Sequence, residues 1–204
     1  MILFVVSIAA QESGTLSGRL TGKILFAFLS VGAFVAWAGT RPLMNDYIKA
    51  QTEWKKLKTL YNREIYDIAG YEEYYPELKY DHKFLFEYGH SLNKVGEHGK
   101  SNEILYWGAE LSNDPMFHNI IGNNYLAMLE YDCAEKSYET AYRIVPNRIY
   151  PLYLLAKLYI EQGNKDKALN MCRKVLDFKP KVLSPAVSEM KEEIEKLMNH
   201  LSDL

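Results

Sequence analysis

The run Gly122–Pro180, GNNYLAMLEYDCAEKSYETAYRIVPNRIYPLYLLAKLYIEQGNKDKALNMCRKVLDFKP, decides the fold, because it carries one pattern twice at an offset of 34 residues. Gly122, Tyr125, Ala134, Tyr138, Ala141 and Pro146 recur as Ala156, Tyr159, Ala168, Cys172, Val175 and Pro180. The second copy adds Leu152, Leu155 and a turn at Gly163. Small residues let two helix backbones approach, and large apolar residues three and four places apart fill the ridges between them. Each copy therefore reads as a helix, a tight turn and an antiparallel helix. Asp114-Pro115 supplies an N-cap followed by proline in the first turn, Gly163-Asn164 supplies a turn, and Pro146 and Pro180 stop helices.

Working outward, a further unit precedes these from about Asp81 to Ser112. Gly89, Leu92, Gly96, Leu105, Tyr106 and Ala109 follow the same order, with one extra residue expected in the turn Gly96-Glu97-His98-Gly99. Before it, Trp54, Leu57, Tyr61, Tyr66 and Ala69 are spaced as in a helix, up to Pro76. Two readings stay open there, a degenerate first unit and a plain connecting helix. After Pro180, Ser184-Pro185 opens a last helix with Val187, Met190, Ile194, Leu197 and Leu201 on one stripe and Lys191, Glu192, Glu193, Glu195 and Lys196 largely off it. Such a helix closes the open end of a stacked array. The ordered set of small, aromatic and proline positions over residues 81–182 resembles the tetratricopeptide repeat. The expected fold is all-α: an α-solenoid of antiparallel helix pairs (about 81–114, 115–148 and 149–182), a capping helix over 183–204, and connecting helices or a degenerate repeat over 41–80.

The N-terminus reads as membrane. Ile24–Trp37, ILFAFLSVGAFVAW, is free of charge, and with the residues to Thr40 it gives about 17 residues between Lys23 and Arg41, the lower limit for spanning. Residues 24–40 are thus expected to form a transmembrane helix, with Trp37 placed as an interfacial aromatic and Gly32, Gly39 and four alanines suited to packing on another membrane helix. Met1–Ala10 is apolar but too short to span, and it lacks the positive start of a secretory signal. It reads as the end of a longer helix, with Gln11–Gly22 as a polar loop, so that residues 1–23 are the tail of a preceding membrane segment and 24–40 the last span; the alternative is a single uncleaved anchor. Arg19 and Lys23 lie before the span, and Arg41, Lys49, Lys55, Lys56 and Lys58 lie after it, which favours repeats on the cytoplasmic side.

Composition excludes several classes. Lys plus Arg (24) nearly balances Asp plus Glu (26), so no basic field is available for nucleic acid. Cys133 and Cys172 are isolated and read as small apolar side chains. The five histidines are scattered and suggest no metal site. Phosphate-binding glycine loops, HExxH, GxSxG and paired CxxC motifs are absent, and the adjacent Glu72 and Glu73 point in different directions on a helix, which makes a poor acid–base pair. No catalytic residue, cofactor or metal is expected of this chain.

What remains is surface. In the tetratricopeptide family the first helix of each unit lines a concave groove. The matching positions are Lys83, Phe86, His90, Asn93 and Lys94, then Met116, Asn119, Asn123, Leu126 and Ala127, then Tyr150, Tyr153, Lys157, Ile160 and Glu161. Phe86, His90, Asn119, Asn123, Tyr150, Tyr153 and Lys157 are the candidate partner-binding residues, with Asn119 and Asn123 one turn apart as donors to a peptide backbone or a sugar hydroxyl. A carboxylate clamp of the co-chaperone kind is disfavoured, because Tyr150 and Leu154 stand where basic residues are needed. The span, Trp54 with Tyr61, Tyr88-Gly89-His90, Ser112-Asn113-Asp114-Pro115, Gly122-Asn123-Asn124-Tyr125 and Tyr150-Pro151-Leu152-Tyr153-Leu154-Leu155 together resemble bacterial O-antigen ligase or polymerase-like membrane proteins with C-terminal repeats. That resemblance implies repeats on the periplasmic side, against the charge count, and a catalytic site in membrane helices this chain lacks. The function expected is a membrane-tethered scaffold that binds a protein or peptide in cell-envelope polysaccharide assembly. The alternatives are an accessory fragment of the glycan ligase or polymerase and a module that binds glycan directly.

Overall fold

The computed structural model describes residues 16–181 and 184–203, and every regular element among them is helical. The chain divides into two units at the Gln51–Thr52 boundary. The apolar Met1–Ala10 segment and the start of the polar loop lie outside the described residues.

In the first unit, helix α1 (Leu16–Tyr61) contains the apolar segment. It begins earlier than the sequence suggested, so Leu16–Gly22 is helix rather than loop. Nothing in LSGRLTG breaks the ladder, because an isolated glycine costs a helix only about 1 kcal/mol. Leu25, Phe26, Phe28, Val31, Phe34, Val35 and Trp37 are each more than half exposed. This helix alone, among the described residues, is long and apolar enough to cross a membrane. The Arg41 guanidinium lies 5.1 Å from the Trp37 ring centroid, a cation–π contact at the end of the apolar run.

In the second unit, the last turns of α1 meet α2 (Ile68–Leu78) and α3 (His82–Lys94) through side chains. Leu57 packs on Gly70, where a Cβ would collide with it. The Trp54 indole donates to the buried Glu87 carboxylate at 2.7 Å and sits edge-on to Phe84. Residues 52–61 and α2 thus behave as a helix–turn–helix ahead of the array, with a six-residue turn and with Pro76 inside α2 rather than at its end.

Three helix pairs follow: α3 with α4 (His98–Leu111), α5 (Pro115–Ala127) with α6 (Tyr131–Ile144), and α7 (Tyr150–Glu161) with α8 (Lys165–Asp177). Each packs on the next, and α9 (Pro185–Asp203) lies against α7 and α8. The capping residues are those read from the sequence: Asp114 Oδ1 accepts from Met116 N at 2.9 Å, and Asn164 Oδ1 accepts from Lys167 N at 3.2 Å. One expectation fails. Helices α4, α6 and α8 start 33 and 34 residues apart, so the first unit is one residue short rather than one long. Its small packing residue is therefore Gly108, buried under the Phe117 ring, and not Ala109.

The small positions work as the spacing implies. Gly89 lies against Leu105, Gly122 against the Tyr138 ring, and Ala156 beside Cys172 in one buried cluster. All three within-pair turns have three residues, and the central one, Gly96, Leu129 or Gly163, has φ of 86°, 61° or 69°. Leu129 thus adopts the left-handed conformation that its two counterparts reach without a Cβ.

The junction between the first two pairs sets a buried polar network beside an apolar cluster of Leu105, Phe117, Ile120 and Ile121. Asn124, fully buried, donates to Ser101 Oγ and Asn102 Oδ1, both at 2.8 Å, and its own carbonyl accepts from Asn93 Nδ2 at 2.7 Å. The next junction is apolar, built from Tyr138, Leu154, Leu155, Leu158 and Tyr159. At the far end the expected stripe of α9 closes the array, with Ile194 fully buried beside Ile149, Leu152, Ala156 and Val175. Lys191 Nζ donates to the carbonyls of Leu176 and Phe178, at 2.6 and 2.7 Å, where α8 ends. Of the cysteines, Cys172 is buried and Cys133 half-buried, and both are free thiols.

Candidate partner-binding groove

Helices α3, α5 and α7 are neighbours, and α9 adjoins α7 in the place a further first helix would take. The predicted groove positions lie on α3, α5 and α7.

At the first-unit end, Phe86 stacks on His90 with centroids 6.2 Å apart and meets Phe117 edge-on at 5.3 Å. His90 Nδ1 lies 2.7 Å from the Tyr61 hydroxyl, and the Tyr66 ring stands edge-on to both. Burial, and secondarily Lys94, pushes His90 below its ordinary pKa, while burial and the Glu87 charge raise Tyr61 to about 12. The pair therefore stays uncharged at neutral pH, and this end of the groove is an aromatic surface.

In the middle, the two candidate asparagines part company. Asn119 is only 2% exposed; its amide reaches Met116 Sδ at 3.5 Å and its Oδ1 has no partner. Asn123 is half-buried and accepts from the Tyr138 hydroxyl at 2.8 Å. The expectation of two side-by-side donors is thus corrected, because position 119 turns into the packing between helices.

At the third-unit end, Tyr150 and Tyr153 stack at 6.1 Å. The Tyr153 hydroxyl donates to Glu193 Oε2 at 2.6 Å, and Lys157 Nζ reaches Glu193 Oε1 at 3.0 Å and the Tyr153 oxygen at 3.2 Å. The Tyr153 hydroxyl and Lys157 hold the Glu193 carboxyl below its ordinary pKa. A cleft of about 610 Å³ opens beside this cluster, lined by Asn123, Leu126, Lys157, Ile160, Glu161 and Leu197 among others. Of the predicted residues, Asn123 and Lys157 share this cleft, while Phe86 and His90 belong to the aromatic end. Glu193 was missed as a groove residue because its own helix was read only as a cap. Its position off the apolar stripe was the available signal. No group of three or more His, Cys, Asp or Glu that could hold a metal occurs among the described residues.

The family described as Tetratricopeptide repeat matches residues 125–194. No curated protein matches the chain. Among solved structures, residues 41 to the end of MamA from Desulfovibrio magneticus RS-1 are similar at 17% identity, over 76% of this chain and 94% of that one, with a TM-score of 0.58. The Yersinia enterocolitica type III secretion chaperone SycD, in complex with a peptide of the translocator YopD, is similar at 15% identity over 59% and 91%, with a TM-score of 0.54. These likenesses carry the repeat part of the sequence resemblance and not its O-antigen ligase part. The helix pairs α3–α8 with their cap α9 therefore have the tetratricopeptide-repeat fold, and residues 125–194 bear its sequence pattern.

Proposed function

We propose that this chain is a non-catalytic, membrane-tethered scaffold that binds a peptide segment of a partner protein along the groove of α3, α5, α7 and α9. The observation that carries the reading is the open cleft at the third-unit end, flanked by stacked tyrosines and a fixed lysine, on the face where the repeat pattern puts its groove. Tyrosine supplies large contact area at low entropic cost, which suits a protein-binding surface. That SycD was solved with a bound peptide supports a peptide here. The test is a photo-crosslinking amino acid placed in cells at Asn123 or Lys157, and for comparison at Lys136, an exposed residue of α6 that does not line the cleft. Groove positions should yield a discrete crosslinked protein and Lys136 none. Equal crosslinking from all three would refute the groove.

The tether rests on the exposed apolar residues of α1. The full chain should sediment with membranes and need detergent for release, whereas deletion of residues 24–40 should free it. Half-exposed Cys133, against buried Cys172, reports the side the repeats face: a membrane-impermeant maleimide labels it on intact cells only if they lie outside. A place in cell-envelope polysaccharide assembly rests on the sequence resemblance alone. Loss of the protein should then shorten or abolish surface polysaccharide, and an unchanged glycan profile would remove that part of the proposal.

A further inference from the structure

Resting on the groove reading above, we infer that the cleft between α5, α7 and α9 selects a segment that places an apolar side chain next to a lysine or arginine. The floor is apolar, with Leu126 and Ile160 from neighbouring first helices and Leu197 from the cap, all partly buried and all facing the same space. The charges on its rim are not balanced. Lys157 is already engaged, holding one Glu193 oxygen while Tyr153 holds the other. Glu161, one turn further along α7, lines the same cleft, is exposed, and makes no ion pair or hydrogen bond among the described residues. An acidic segment would have to displace Glu193 from two partners and would still face Glu161. A basic side chain meets Glu161 and the outer edge of Glu193 with nothing to displace. A purely basic segment would leave the apolar floor wet, and a purely apolar one would bury Glu161 without a partner.

The inference is tested with the full chain in nonionic detergent and three fluorescent nonapeptides, of alternating leucine and lysine, leucine and glutamate, and serine and lysine. The leucine–lysine peptide should bind, weaken as salt rises, and be coupled by carbodiimide to Glu161 or Glu193. Because an exposed ion pair is a modest contribution, Glu161→Gln should weaken binding about five-fold and Glu161→Lys further, in the same micelles. An exposed residue at the end of α7 permits both changes without loss of the fold, which the unfolding midpoint verifies. If the leucine–glutamate peptide binds equally and couples to Lys157, or the serine–lysine peptide matches the leucine–lysine one, the selectivity is wrong and the groove stands. If Glu161 couples instead to a second copy of the chain, the cleft is a homotypic contact and the inference falls. If none of the three binds and the groove crosslinks are also absent, both readings fall together.

Discussion

Leu129 and Gly163 hold the same place in successive turns, yet only the glycine reaches a positive φ without steric cost. Leu129 is also 66% exposed, so its side chain returns little packing for that strain. Leu129→Gly should therefore stabilise the protein by about 0.5–1 kcal/mol, after allowance for glycine's larger unfolded entropy, as measured by urea unfolding. A second residue-level effect involves protons. Burial holds both His90 and His118 below their ordinary pKa, so the unfolded chain binds more protons than the folded one as pH drops. Their stabilising contribution is complete well above about pH 6.5 and is lost as pH falls below it. His90→Gln should flatten this slope in a pH series of unfolding midpoints. Residue by residue, the small positions of the two 34-residue copies were legible because their spacing is the fold itself, whereas the shorter first unit moves one of them from Ala109 to Gly108. Asn119, Asn123 and Asn124 were not, since three chemically identical side chains within two turns differ only in which way a helix rotation of about 100° per residue points them. The buried network went to Asn124, the residue the spacing of groove positions passes over.

At the scale of elements, α9 is held by one side chain more than any other. Ile194→Ala, at a fully buried site shared with α7 and α8, should cost about 2–4 kcal/mol, and a chemical unfolding curve would reveal it. Lys191→Met keeps the stem but gives up two carbonyl contacts at the end of α8, and should cost about 1 kcal/mol by the same measurement. If both changes were silent, α9 would not be part of the folded array. The helices themselves were readable from caps, prolines and period. The exceptions have local causes: the 33-residue first unit is shortened in the segment before α5, where Ser112-Asn113-Asp114 leads straight into Pro115, and the long α1 outruns its apolar core at both ends, continuing through Pro42 on the C-terminal side. Glu193 shows the limit of reading elements singly, for its role exists only once α9 lies beside α7.

Across the whole molecule, stability in a stacked array is the sum of each pair and its contacts with the next, so the character of the junctions matters as much as the pairs. Asn124 and Leu158 occupy the same position in successive units, one forming four side-chain hydrogen bonds with the first pair, to Asn93, His98, Ser101 and Asn102, the other fully buried among tyrosines and leucines. The units are therefore not interchangeable parts. Excising residues 115–148 preserves the helical reading frame, yet it would press Leu158 onto Asn93, Ser101 and Asn102 and strip those amides of their partners. Such a chain should lose its cooperative thermal transition, and restoring asparagine at position 158 should recover part of it. The polar junction thus acts as an address: it fixes which pair follows which, and it sets a barrier to growth or shrinkage of the array by duplication or loss of a single unit.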